Sequence, residues 1–263
     1  MKTELEIALN RESTPTELPL GLPLAHLTAC RWLASILRVG RLEPRPCKVF
    51  LKKLLYFSYG GVFYRTSKLQ TEQATELPVA LVFAPTVLDL ISQLFPFDSG
   101  AAAAERFGLD WARKLAPFRK RFLVNTTDAL MDARRLVYHL FKTNSQYLKG
   151  IPFGSGKHKR DPFPLLYEFL TTDLSSHEID HRQRAIEAIS DIPIELGKHL
   201  LWIGLPEWKT SSVLKDLYRS TAPTVPQFDT YKYTKNFNPT EIAALLEEKA
   251  YKAVIEKYTM FLV

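Results

Sequence analysis

Cysteine is scarce in this chain: two residues in 263, Cys30 and Cys47. Two cysteines cannot form a disulfide framework and are too few for a four-cysteine zinc site. Two reduced thiols fit a cytoplasmic protein. Long apolar runs are also missing. No 18 apolar residues stand together, so no membrane-spanning helix and no membrane partner are expected. Residues 1–20 mix Glu, Lys, Arg and Thr and lack the apolar centre of a secretory signal. No G-x-G-x-x-G follows a strand-like segment, and neither a P-loop nor H-E-x-x-H occurs. The common nucleotide-binding turns and the zinc-peptidase helix therefore have no support. His177 and His181 lie four apart, but two histidines do not make a site, and no metal is expected.

What is present is ordinary globular material. At 46% hydrophobic and 24% charged, a chain of this length can bury a full core. Its net charge of +7 is mild. That excess suits anionic ligands such as nucleotides or nucleic acid, and equally a solvated basic surface. The densest basic stretches are Arg113-Lys114, Arg119-Lys120-Arg121 and Lys157-His158-Lys159-Arg160, the last following Gly154-Ser155-Gly156 as a loop would.

Periodicity orders the chain. Residues 1–23, polar and carrying Pro15, Pro19 and Pro23, read as an N-terminal arm. Leu24–Thr28 reads as a strand. Ala29–Val39 reads as a helix with Trp32, Leu33, Ile36 and Leu37 on one face and Gly40 as its stop. Val49–Leu55 is ambiguous between strand and helix. Pro78–Ala84 is a buried strand closed by Pro85. Thr86 and Asp89 suggest a capped helix, Ala101–Leu115 and Asp128–Lys142 two more, and Phe95–Gly100 a turn. Strands return near Arg184–Ile189, His199–Leu205 and Thr230–Thr234. Asn238-Pro239-Thr240-Glu241 then announces a terminal helix. Strands at both ends with helices between predict an α+β domain over 24–263, with a helical insertion at about 86–170. Trp202 and Trp208 read as core.

Two distant segments suggest chemistry. One is His26-Leu27-Thr28, followed by the aromatic run Tyr56-Phe57-Ser58-Tyr59-Gly60-Gly61-Val62-Phe63-Tyr64-Arg65. The other is Asp180-His181-Arg182 leading to Ile186-Glu187. A strand histidine, a tyrosine-rich stretch and a late strand carboxylate in this order resemble the ADP-ribosyltransferase superfamily in its His–Tyr–Glu form. They look most like a bacterial group in which Phe95-Pro96-Phe97-Asp98-Ser99-Gly100 is a further hallmark. The resemblance implies a split β-sheet core that binds NAD as a substrate, without a metal. It implies that His26 holds a ribose hydroxyl and that Thr28 meets the nicotinamide amide. One of Tyr56, Tyr59 and Tyr64 would stack on the nicotinamide ring, and Glu187 would stabilise the cationic sugar. Arg65 or Arg182 would pair with the pyrophosphate. The paired E-x-E of arginine-modifying members is absent, because Ala185 stands two before Glu187.

Each of these residues has a plainer role open to it. His26 suits a hydrogen-bonded core position, the tyrosines suit a sheet core, and Glu187 suits solvent. Three functions follow from the layout. The first is ADP-ribosyl transfer to a protein or nucleic-acid acceptor, or NAD glycohydrolysis, as in bacterial toxins and phage-defence effectors. The second is an RNA 2′-phosphotransferase-like reaction on a related fold. The third is a non-catalytic nucleotide- or partner-binding module.

Overall fold

A computed structural model of the chain describes residues 2–11, 17–63, 74–153, 162–172, 181–209, 226–232 and 239–259. Tyr64, Arg65, the basic loop at 157–160, His177 and Asp180 lie outside the described residues.

The N-terminal segment, expected as an arm, begins with helix α1 (Glu4–Arg11), whose Leu5 and Leu9 are buried. Its start is a reciprocal cap. The Thr3 hydroxyl accepts the Glu6 N–H at 3.1 Å, and the Glu6 carboxylate accepts the Thr3 N–H at 2.7 Å. The other Glu6 oxygen accepts from the Asn125 backbone N–H and side-chain amide, which pins the helix to a distant strand.

Strand β1 (Leu24–Ala29) leads directly into α2 (Cys30–Val39). As the sequence predicts, Gly40 ends α2 at φ 74°, with its N–H on the Ile36 carbonyl. Next come β2 (Arg41–Leu42), β3 (Arg45–Cys47), β4 (Lys52–Tyr59) and β5 (Pro78–Phe83). The ambiguous stretch near 49–55 is thus a turn entering a strand. Pro85–Leu90 is a 3₁₀ turn rather than a helix capped by Thr86, and β6 (Gln93–Phe95) follows at once. The helix expected over Ala101–Leu115 is two pieces, α3 (Ser99–Ala103) and α4 (Leu109–Leu115). Between them Glu105 at φ 55° and Gly108 at φ 88° take left-handed conformations that a continuous helix cannot contain.

Short α5 (Phe118–Phe122) and β7 (Val124–Asn125) precede α6 (Ala129–Phe141), which Asp128 caps by accepting the Met131 N–H. Then come α7 (Asn144–Lys149), α8 (Phe163–Thr171), β8 (Glu187–Ser190), β9 (Ile194–Glu195), α9 (Leu196–His199), β10 (Leu200–Pro206), β11 (Gln227–Tyr231) and α10 (Pro239–Ala253). The 86–170 stretch is therefore not a separate helical block: β6 and β7 carry it into the main sheet.

That sheet runs β11-β10-β5-β1-β4-β8-β6-β7, with β3 also on β4. All of these pairings are antiparallel except β10–β11. Its two halves meet at one junction. β1 matches β5 from Leu24↔Phe83 to Ala29↔Pro78, yet matches β4 only at Leu24↔Tyr59 and Ala25↔Ser58. Past Ala25 the β1–β4 ladder stops while the β1–β5 ladder runs on to Ala29.

Helix α10 closes against β10 at Gly204. A Cβ there would stand 2.4 Å from Leu246 Cδ2 and 2.4 Å from the Trp202 ring. Trp202 is core, and its indole N–H donates to Asp229. Trp208, also expected in the core, is 46% exposed. Gly204→Val should cost about 1–3 kcal/mol through overpacking. Thermal unfolding checks this, and a variant melting with the wild type would show that α10 does not press on the sheet here.

Candidate active site

Glu187 opens β8 opposite Ser58 on β4 and Phe95 on β6, and Ser58 in turn faces Ala25 on β1. Directly paired residues point to the same side of a sheet. Ala25, Ser58, Glu187 and Phe95 therefore form one lateral row. The row crosses the sheet at the junction, and Glu187 lies two strand spacings, about 10 Å, from β1.

The carboxylate is not solvated, since Glu187 is only 2% exposed. One oxygen, Oε2, accepts the Ser99 backbone N–H at 3.2 Å and the Ser99 hydroxyl. Ser99 belongs to the Phe95–Gly100 hallmark segment, whose sequence alone assigns it no contact of its own. Asp98 holds that turn twice: its side chain accepts the Ala101 N–H, and its own N–H donates to the Arg182 carbonyl. The two hallmark segments, 95–100 and 182–187, thus come together in space.

His26 sits one residue beyond the row. Its Nδ1 lies 2.8 Å from the Tyr56 carbonyl oxygen. A carbonyl can only accept, so this contact assigns the proton to Nδ1. The ring also meets Phe57, with centroids 5.6 Å apart. By register, His26 shares its face with Leu24, Phe57 and Tyr59, while Glu187 shares the other with Ser58 and Tyr56. The fold brings His26 and Glu187 to the same junction from opposite faces.

The tyrosines divide accordingly. Tyr59 is fully buried, with its hydroxyl accepting the Leu22 N–H at 2.9 Å, and burial pushes that hydroxyl far above the ordinary phenol range. Its ring packs against Tyr147. Tyr56 is half-buried on the Glu187 face, with its hydroxyl on Cys47. Thr28 is half-buried on β1 opposite Val79, and Arg182 is buried behind the Asp98 turn. Tyr147 seals the end of β4 and β8 by donating to the Tyr59 carbonyl at 2.7 Å and accepting the Ile186 N–H at 3.1 Å. That bond fixes the backbone immediately before Glu187. Among the described residues no group of His, Cys, Asp and Glu is placed to hold a metal ion. No helix among them is long and apolar enough to cross a membrane.

A second feature escaped the sequence because its residues are spread out. Residues 24–63 carry seven Arg and Lys against one Glu, a net +6 of the whole chain's +7. Arg31, Arg38, Arg41, Arg45, Lys48, Lys52 and Lys53 are all exposed. In their midst Trp32 is 39% exposed, with the Arg45 guanidinium 4.1 Å and that of Arg31 5.2 Å from its ring centre. At the tip of the β3–β4 turn, Leu51 is 88% exposed at φ 55°, a conformation strained for leucine.

No protein-family model matches the chain, and no curated protein does. Among solved structures it is similar to DarT of Thermus sp. 2.9. The complex of that protein with NAD+ aligns at 12% identity over 84% of this chain and 98% of that one, with a TM-score of 0.43. Its carba-NAD+ complex aligns at 14% identity over 83% and 98%, with a TM-score of 0.40. The complex with ADP-ribosylated single-stranded DNA aligns at 12% identity over 82% and 98%, with a TM-score of 0.44.

Proposed function

We propose that this protein is an NAD-dependent ADP-ribosyltransferase that uses the junction of its split sheet as the active site and single-stranded nucleic acid as the acceptor. The observation that carries the reading is the row Ala25–Ser58–Glu187–Phe95. It sets a buried, hydrogen-bonded carboxylate beside the point where β1 leaves β4 and where His26 stands.

The chemistry suits those groups. In NAD the bond between the ribose C1′ and the nicotinamide nitrogen breaks. Its electron pair stays on the ring nitrogen, and neutral nicotinamide leaves without needing an acid. Positive charge builds on C1′ and the ring oxygen. A carboxylate in a dry site stabilises that charge more than it stabilises the ground state, which is what lowers the barrier. Glycosidases set carboxylates against the same kind of cation. An acceptor lone pair then forms the new bond to C1′, and the acceptor proton passes to solvent. In this reading Glu187 is the catalytic carboxylate and His26 holds a ribose hydroxyl. Tyr56, on the Glu187 face, is the aromatic platform. Thr28 is a further binding group, and Arg182 or Arg65 is the partner of the pyrophosphate, Arg65 and Tyr64 lying outside the described residues.

The acceptor assignment rests on the 24–63 surface. Exposed lysines and arginines track phosphates, and a flanked, part-exposed Trp32 offers a stacking face to an unpaired base. A role as a toxin or defence effector in the cytoplasm of a bacterium is consistent with such an activity and belongs to the same proposal.

Incubation with NAD and a single-stranded oligonucleotide tests the whole reading. Free nicotinamide and an oligonucleotide heavier by one ADP-ribose are expected. Nicotinamide release with a protein acceptor only would move the assignment to protein, and no release with either would end the reading. The surface has its own test in fluorescence anisotropy. Trp32→Ala should weaken single-strand binding by about 5- to 100-fold. Lys52→Glu with Lys53→Glu should both weaken binding and flatten its salt dependence. Unchanged affinity in both variants would remove the surface from the proposal.

A further inference from the structure

We propose that Ser99 is a positioning residue for the Glu187 carboxylate, a role that rests on the transferase reading above. An ionised carboxylate that is 2% exposed must be held by hydrogen-bond donors. Ser99, itself fully buried, supplies two of them to the same oxygen, Oε2, from its backbone N–H and its hydroxyl. Two donors on one oxygen fix the carboxylate rotamer and the direction of its other oxygen, so the charge is aimed before substrate arrives.

The turn that carries Ser99 is braced on every side. Phe95 pairs with Glu187 in the sheet, and the Phe97 ring is locked among Phe107, Phe122 and Phe169. The Asp98 N–H reaches the Arg182 carbonyl, and the Asp98 carboxylate caps the next turn of chain. Ser99 therefore cannot drift, and neither can the oxygen it holds. Orientation set in this way acts on the chemical step. In the wild type, the bond from C1′ to the nicotinamide nitrogen breaks with its electrons on the nitrogen, and the cation left behind meets a carboxylate already in place. Without the hydroxyl Oε2 loses one of the two donors that Ser99 gives it and the carboxylate is held less firmly, so fewer encounters find it aligned.

Steady-state nicotinamide release by Ser99→Ala and Ser99→Thr tests the role. The alanine variant should lose about 10- to 100-fold in kcat, with KM for NAD within about twofold of wild type and an unchanged unfolding midpoint. Ser99→Thr keeps the hydroxyl and should restore most of the rate. If the alanine variant does not fold, Ser99→Cys keeps the volume with a weak donor and should show the same kcat loss. A kcat equal to wild type in the folded variant overturns the role. So does a loss confined to KM, or one accompanied by a lower midpoint that threonine does not rescue. Absence of release by the wild type is a different result: it overturns the transferase reading and the positioning role with it.

Discussion

Glu187→Gln should lower nicotinamide release by about 10³-fold while leaving the unfolding midpoint near wild type. A factor of 10³ corresponds to about 4 kcal/mol of transition-state stabilisation, the scale expected when a preorganised charge in a dry site is removed. Glutamine keeps the shape and an oxygen that can accept from Ser99, so the turn at 95–100 stays in place. Glu187→Ala should lose at least as much activity and stability as well. It strands the buried Ser99 N–H and hydroxyl at about 1–3 kcal/mol. The pair of variants separates the two roles open to this carboxylate. A catalytic Glu187 makes both variants inactive and only alanine unstable. A merely structural Glu187 leaves glutamine near wild-type turnover, and that result would take the catalytic role away from Glu187 while leaving the protein an enzyme.

Local signals carried much of the fold, because the physics they report is local. Gly40 in the left-handed region, Asp128 on the Met131 N–H and the Pro78–Phe83 run each depend on a few neighbouring residues. Even α1 had a legible start, Thr3-x-x-Glu6, overshadowed by the three prolines that follow. What needed distant partners was not legible. Glu187 in an alternating strand offers cleft or solvent on its outward face, and it is the turn after β6, whose Ser99 lies 88 residues from Glu187 along the chain, that meets the carboxylate there. Ser99 looked like one more turn residue beside Asp98 and Gly100. Trp208 read as core by its type alone, yet it is 46% exposed. The basic surface was hidden by spacing. Its charges alternate with apolar residues along α2 and the β3–β4 hairpin, so no dense run marks them, and only folding brings Arg45 over Trp32.

Phe97→Ala should be the most destabilising single change near the site. The Phe97 side chain is fully buried, with its ring 5.4 Å from Phe122, 5.6 Å from Phe169, 6.2 Å from Phe95 and 6.4 Å from Phe107. Removing it takes one ring from the middle of an aromatic cluster contributed by four separate segments. The surroundings cannot collapse into the hole without moving all of them, so the full cavity cost of about 3–5 kcal/mol is expected. For a domain of this size that lowers the unfolding midpoint by roughly 6–20 °C. Phe97→Leu refills most of the volume and should cost about a third as much. The same anchor holds Asp98 and Ser99 against β8, so the folded fraction of Phe97→Ala should also lose kcat at temperatures well below its midpoint. Phe107→Ala makes the comparison, since it opens the far side of the cluster and leaves the 95–100 turn paired with β8. If both variants lose stability but only Phe97→Ala loses kcat, the aromatic cluster and the carboxylate are mechanically joined through Ser99. If Phe97→Ala keeps its kcat while destabilised, the cluster supports the fold alone and the geometry of Glu187 is set by the sheet.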